Sequence, residues 1–161
     1  MIQRKQTIYL LLAFICNILL FFFPIFSLSA KSFGSEQVGF FGPYGIESAD
    51  YSQSFPVFLV YIVMSILTAL GIALYKNRRK QLVMCRLNLI FHGMIALGLI
   101  TFYYVGKNIA IDRITEKGMS DAHVGVEAGF FLVIAAIPFI LLAIRGIRAD
   151  EELLRSIDRI R

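Results

Sequence analysis

Charge is scarce in this chain: 17% of its 161 residues are Asp, Glu, Lys or Arg, while 58% are hydrophobic. A soluble domain usually holds about 25% charged residues, so too little polar surface is present to clothe a water-soluble globule. Cysteine occurs only twice, too few for a disulfide framework. Cys16 and Cys85 fall at depths of the hydrophobic pattern roughly 15 Å of helix rise apart, and both read as small apolar fillers. Histidine also occurs only twice, and the chain has no Gly-rich phosphate loop, HExxH, CxxC or nucleophile elbow. Membrane enzymes gather several acids, histidines or arginines at one interface. The expectation is a non-enzymatic protein with no catalytic residue, metal or cofactor.

What is present is grease, with a mean hydropathy of +0.73. Four runs, 8–26, 55–75, 87–105 and 124–144, carry it. Each is long enough to cross a hydrocarbon core of about 30 Å as a helix rising about 1.5 Å per residue. Polar side chains occur singly inside the runs rather than as a stripe, which argues against soluble amphipathic helices. A backbone in lipid must satisfy its own N–H and C=O groups, and the ten-residue alternation of a barrel is not seen. The expected fold is an all-α membrane protein, a four-transmembrane-helix bundle with spans at about 8–26, 55–75, 84–105 and 124–145.

Positive charge sets the expected orientation. Arg4, Lys5, Lys76, Arg78, Arg79, Lys80, Arg86, Arg145, Arg148, Arg155, Arg159 and Arg161 fall on one side with four acids. Lys31, Lys107, Arg113 and Lys117 fall on the other with seven. Both termini are therefore expected in the cytoplasm. Lys76, Arg78, Arg79, Lys80, Arg86, Arg145 and Arg148 are candidate contacts for anionic lipid headgroups or a protein partner; lipid accounts for this charge better than nucleic acid does. Ser27-Leu28-Ser29-Ala30 after the first run superficially resembles a signal-cleavage site. The run exceeds the about 7–15 residues of a signal h-region, so the first span is expected to be retained.

The first outer loop, 27–54, alternates glycines with aromatics and suggests turns or a short hairpin. Its aromatics fit either an interfacial belt or a partner-binding surface. The short 76–81 turn makes the second and third spans an antiparallel hairpin. Ser120-Asp121 is a plausible N-cap for the fourth span. Beyond Gly146, acids Asp150 to Glu152 precede Arg155, Arg159 and Arg161 while Leu153, Leu154, Ile157 and Ile160 recur at helical spacing. This predicts a short amphipathic cytoplasmic helix lying on lipid or on a partner.

Polar residues inside spans are the usual pointers to function. Asn17, Asn88, His92, Glu127, Ser65, Thr68 and Thr101 qualify. Asn88 and His92 share a helix face, and Asn17 falls at a similar depth, so these three form a candidate intramembrane cluster. It reads either as interhelical hydrogen bonding or as the seam of a small transporter or channel subunit. Glu127 sits near the outer surface, within helical reach of His123, and the two with Asp121 make a weak metal signal. Gly125 and Gly129 form a GxxxG step, and Ser65, Ala69 and Ala73 repeat every four residues; both suit close helix packing, within the chain or in a homo-oligomer. Pro138 is expected to kink the fourth span.

Three stretches are also similar to a known family: Met1-Ile2-Gln3-Arg4 with Gln6-Thr7; Tyr75-Lys76-Asn77-Arg78, then Gln81 and Arg86-Leu87-Asn88; and Ile147-Arg148-Ala149-Asp150-Glu151 with Arg155-Ser156 and Asp158-Arg159. Together they resemble an uncharacterised, domain-of-unknown-function family of short four-span membrane proteins from the Bacteroidota lineage. The resemblance covers essentially the whole chain and implies a bacterial inner-membrane location. It brings no activity, cofactor or catalytic residue with it.

Overall fold

The computed structural model describes residues 3–32, 35–47, 52–54, 56–116 and 120–158. Met1, Ile2, Lys117, Arg159, Ile160 and Arg161, named above, lie outside the described residues, as do the side chains of Arg4, Lys5, Lys31, Arg113, Ser120, Leu154, Arg155, Ser156, Ile157 and Asp158.

The chain is mostly helical. Helix α1 spans Gln3–Leu19, α2 Phe58–Ala73, α3 Arg78–Thr101, α4 Lys107–Glu116 and α5 Ala128–Asp158. Among the described residues, three helical stretches are long and apolar enough to cross a membrane: Phe58–Lys76, Arg78–Ile109 and Ala128–Leu153. Helix α1 is apolar but shorter. Its winding tightens through Phe21 N–H to Ile18 O and Phe22 N–H to Leu19 O bonds, and Pro24 then ends it, because proline lacks an N–H and pushes its predecessor toward extended backbone.

The all-α expectation omitted a sheet. Strands β1 (Phe26–Ser32), β2 (Ser35–Gly42), β3 (Gly45–Glu47), β4 (Ser52–Ser54) and β5 (Ser120–Val126) form one sheet in the order β4-β3-β2-β1-β5, every neighbouring pair antiparallel. Alternation builds it: Phe26, Leu28 and Ala30 point to one face of β1, Ser27 and Ser29 to the other. Phe26 lies opposite both Phe41 and Val126, so this face is apolar and covers one end of the helices. Phe26 is 2% exposed. Its ring meets those of Phe41, Phe102, Tyr103 and Phe130 at centroid distances of 5.2–6.5 Å. Gly45 closes the β2–β3 turn at φ 113°, a backbone region that suits glycine.

The sheet corrects three local expectations. Ser120-Asp121 begins β5 rather than capping a helix, since α5 starts only at Ala128. Gly125 and Gly129 therefore sit on a strand and a helix and form no GxxxG face. Each permits a close approach instead: a Cβ on Gly125 would meet Ser27 Oγ at 2.6 Å, and one on Gly129 would meet Pro24 O at 2.5 Å. His123 and Glu127 are likewise not helical neighbours, because His123 is paired with Ser29 across the β1–β5 ladder.

Helices α1 and α3 each pack against both α2 and α5, so the four form a square bundle. Helices α2 and α3 are joined by a single 3₁₀ turn, Leu74–Lys76, and by Asn77, which caps α3 by accepting from Lys80 N–H at 3.3 Å. Helix α3 runs through a π-turn, Phe102–Gly106, directly into α4, which lies beside β5. Helix α5 continues unbroken through Gly146 to Asp158, so the tail is an extension of the last helix and not a separate amphipathic one. Gly146 allows this, since it lies against the Gln6 side chain, whose Cγ would be 2.8 Å from an added Cβ. Ala69 and Ala73 are exposed, so these two positions of the small-residue repeat on α2 face away from the bundle, while Ser65 is half-buried.

Candidate functional site: a buried polar cluster

Two apolar layers fill the bundle. One, toward the basic end, contains Leu10, Ala13, Leu82, Cys85, Ala136, Ile140, Ala143, Ile144 and Ile147. The other, beneath the sheet, contains Leu20, Ile25, Phe26, Tyr61, Met64, Ala96 and Val133.

On the helices between these layers stand Asn17 (α1), Thr68 (α2), Asn88 and His92 (α3), each 0% exposed. Polar atoms removed from water need partners, and these find them in one another. Thr68 Oγ accepts from Asn17 Nδ2 at 3.0 Å and from Asn88 Nδ2 at 2.9 Å, and donates to the Met64 carbonyl one turn back at 2.8 Å. His92 Nδ1 lies 2.9 Å from the Asn88 carbonyl and Nε2 3.1 Å from Asn17 Oδ1. The structure thus brings together Asn17, Asn88 and His92, which the sequence grouped, and puts Thr68 at their hub. Asn88 Oδ1 is buried with no hydrogen-bond partner among the described residues, as is Tyr61 Oη. Helix α5 adds no polar side chain here; its buried residues are Val133, Ala136 and Ile140.

The other polar residues weighed in the spans stand apart. Thr101 is exposed and bonds back to Leu97 O at 2.9 Å. Ser65 is half-buried on α2. Glu127 donates its backbone N–H to Ile25 O at 3.0 Å, tying the residue before α5 to the residue before β1. His123 is exposed, with Ser29 Oγ within 2.9 Å of its ring. No group of three His, Cys, Asp or Glu able to hold a metal occurs among the described residues.

At the basic end, Lys76, Arg79, Lys80, Arg86, Arg145 and Arg148 are exposed. Arg78 differs: its guanidinium is half-buried and donates to the backbone carbonyl of Asp150 at 3.1 Å. Asp150 is itself buried and accepts from the side-chain amide of Gln6. Gln81 donates to Gly71 O at 3.0 Å. Gln6, Arg78 and Asp150 lock α1, α3 and α5 together below the apolar layer, and Gln81 ties α3 to α2. Nothing local in the chain announces this lock, because Gln6 and Asp150 are 144 positions apart.

What this arrangement can do chemically is narrow. It supplies donors, acceptors, one hydroxyl and one imidazole in a buried interior, with no carboxylate beside them among the described residues. A comparison with curated proteins returns no significant match. The family model described as a domain of unknown function (DUF4293) matches residues 2–160, and the chain belongs to that family.

Proposed function

We propose that this chain is a four-span protein of the bacterial inner membrane, with both termini cytoplasmic, acting as a non-enzymatic accessory or assembly component. Two cross-bundle contacts support α1 as a fourth crossing. Gln6 meets Asp150 at one end, and Gly129 N–H bonds Pro24 O at 2.8 Å at the other. The α5 segment between those contacts rises about 32 Å, close to the roughly 30 Å thickness of a hydrocarbon core. Residues 6–24 connect the same two levels. The clustering of Lys and Arg at the Asp150 end supports a cytoplasmic placement of that end. It also supports contact between Lys76, Arg78, Arg79, Lys80, Arg86, Arg145 and Arg148 and anionic headgroups or an acidic partner.

The observation that carries the accessory reading is that the side chains of Asn17, Thr68, Asn88 and His92 bond to one another across the bundle. A translocation path needs polar groups facing a wet route. Asn17, Asn88 and His92 instead bond across the bundle, with an apolar layer on either side. The free surfaces are a greasy girdle, a sheet and a cation-rich end, all suited to contact rather than chemistry.

Affinity purification from native membranes in mild detergent tests this. A different protein co-purifying in stoichiometric amount, and lost when Arg79 and Lys80 are exchanged for Gln, is the expected result. A pure homo-oligomer in which an Asn17→Cys thiol reacts with a water-soluble reagent would favour a transport role instead.

A further inference from the structure

The buried cluster raises a problem of protons. The Asn88 backbone oxygen can only accept, so the His92 Nδ1 beside it must carry hydrogen. Nε2 then faces Asn17 Oδ1, another acceptor, at 3.1 Å. Both ring nitrogens donating is the pattern of an imidazolium. Among the described residues no carboxylate stands at this level: α1 presents Asn17, α2 Thr68, α3 Asn88, and α5 apolar side chains. The titratable side chains in the flanking layers are Tyr9, Cys16 and Cys85 toward the basic end and Tyr61 and Tyr103 toward the sheet.

A neutral ring fits if one amide turns over. The oxygen and nitrogen of an asparagine side chain occupy equivalent positions. With Asn17 reversed, its Nδ2 donates to His92 Nε2 and its Oδ1 faces Thr68 Oγ. The Thr68 hydroxyl then leaves Met64 O and donates to Asn17. The result is a closed, one-directional ring: Asn88 Nδ2 to Thr68, Thr68 to Asn17, Asn17 to His92, and His92 Nδ1 to Asn88 O. Reversing Asn88 instead does not help, since Nε2 would still face an oxygen.

We infer that this cluster is a buried proton-binding site, able to hold His92 in either charge state without moving a helix. Adding one proton to Nε2 converts this ring into the first arrangement: Asn17 turns its oxygen to the new N–H, its Nδ2 donates to Thr68, and the Thr68 hydroxyl swings to Met64 O. One proton enters, one positive charge is gained, and every interhelical bond is kept. Met64 O is what makes this possible, because it gives the displaced hydroxyl an acceptor within 2.8 Å. A cluster serving only as packing would need one set of partners; this one has two, each of which pairs the His92 ring, the Asn17 amide and the Thr68 hydroxyl and leaves Asn88 Oδ1 unpaired.

The test is nitrogen NMR of the full chain, labelled with ¹⁵N in its histidine rings and held in lipid nanodiscs, titrated in pH. His123 is the internal control, assigned by a His123→Gln variant. The expected neutral form of His92 carries its hydrogen on Nδ1 with Nε2 bare, the reverse of the tautomer favoured by exposed imidazoles. On acidification a second proton adds at Nε2 while the backbone amide signals of α1, α2 and α3 hold their positions. An Asn17→Asp variant, which fixes an acceptor opposite Nε2, is expected to stay doubly protonated to higher pH than the wild type. A neutral ring protonated on Nε2 overturns the inference. So does a His92 that takes no second proton before the helices unfold, or backbone signals that shift throughout the bundle as it does.

Discussion

Replacing Thr68 with valine removes the hub of the buried cluster while preserving shape and β-branching. Thr68 Oγ is the shared acceptor for two amides from two other helices, at 2.9 and 3.0 Å. Interhelical hydrogen bonds in membrane bundles contribute about 0.6 kcal/mol on average and up to about 1.7. Two lost bonds therefore cost about 1–3 kcal/mol. The amides of Asn17 and Asn88, both 0% exposed, would be left facing a methyl group, which pushes the loss toward the upper part of that range. A cost of about 2 kcal/mol is roughly a 30-fold fall in the folding constant. The assay is unfolding in mixed micelles with increasing denaturing detergent, followed through the thiol of Cys85. That thiol is 1% exposed when folded, and Cys16 is replaced by Ala to leave it alone. Thr101→Val is the matched control, because the Thr101 hydroxyl is exposed and bonds only to its own helix; its expected change is near zero. A Thr68→Val protein no less stable than the Thr101→Val control would refute the structural role of the cluster.

The same assay separates glycines by their surroundings. Gly129→Ala should destabilise strongly, because its Cβ would lie 2.5 Å from Pro24 O and 2.8 Å from Phe23 O, both backbone atoms. Gly98→Ala, with nothing within 4 Å of the new Cβ, should be neutral or stabilise by up to about 1 kcal/mol through helix propensity. Phe26→Ala removes the ring shared by sheet and bundle and is expected to cost about 3–5 kcal/mol, read as a fall in the unfolding midpoint. Asp150→Ala should free Gln6, so hydrogen exchange rises in the first turns of α1, while the start of α3, which Arg78 ties to the Asp150 backbone carbonyl, and the middle of the bundle stay protected.

The helices were legible because lipid-length apolar runs leave little choice of structure, and the grouping of Asn17, Asn88 and His92 followed from depth and helical spacing alone. The sheet was hidden by adjacency. Phe26, Leu28 and Ala30 alternate with Ser27, Ser29 and Lys31, a strand pattern of period two, but the apolar run begun at Ile8 extends into it. Ala122, Val124 and Val126 likewise alternate with Asp121, His123 and Gly125, yet lead straight into the fourth run. Pairing compounds the difficulty: Ser29 finds His123 94 positions away, and nothing local in either segment names its partner. The lock of Gln6, Arg78 and Asp150 escaped for a related reason, since the continuity of α5 through Gly146 decides whether Asp150 is buried. A charged tail after a glycine looked like a separate element, whereas packing against α1 holds it in the helix.

The most direct test of the four-span arrangement is labelling of single cysteines by a membrane-impermeant maleimide in intact cells and after permeabilisation, in a chain with Cys16 and Cys85 replaced by Ala. Tyr44→Cys on the sheet should label in intact cells; Arg4→Cys, Lys80→Cys and Arg148→Cys should label only after permeabilisation. Labelling of Arg4→Cys together with Tyr44→Cys in intact cells would mean that α1 does not cross, and labelling of Lys80→Cys from outside would mean that the bundle is inserted the other way.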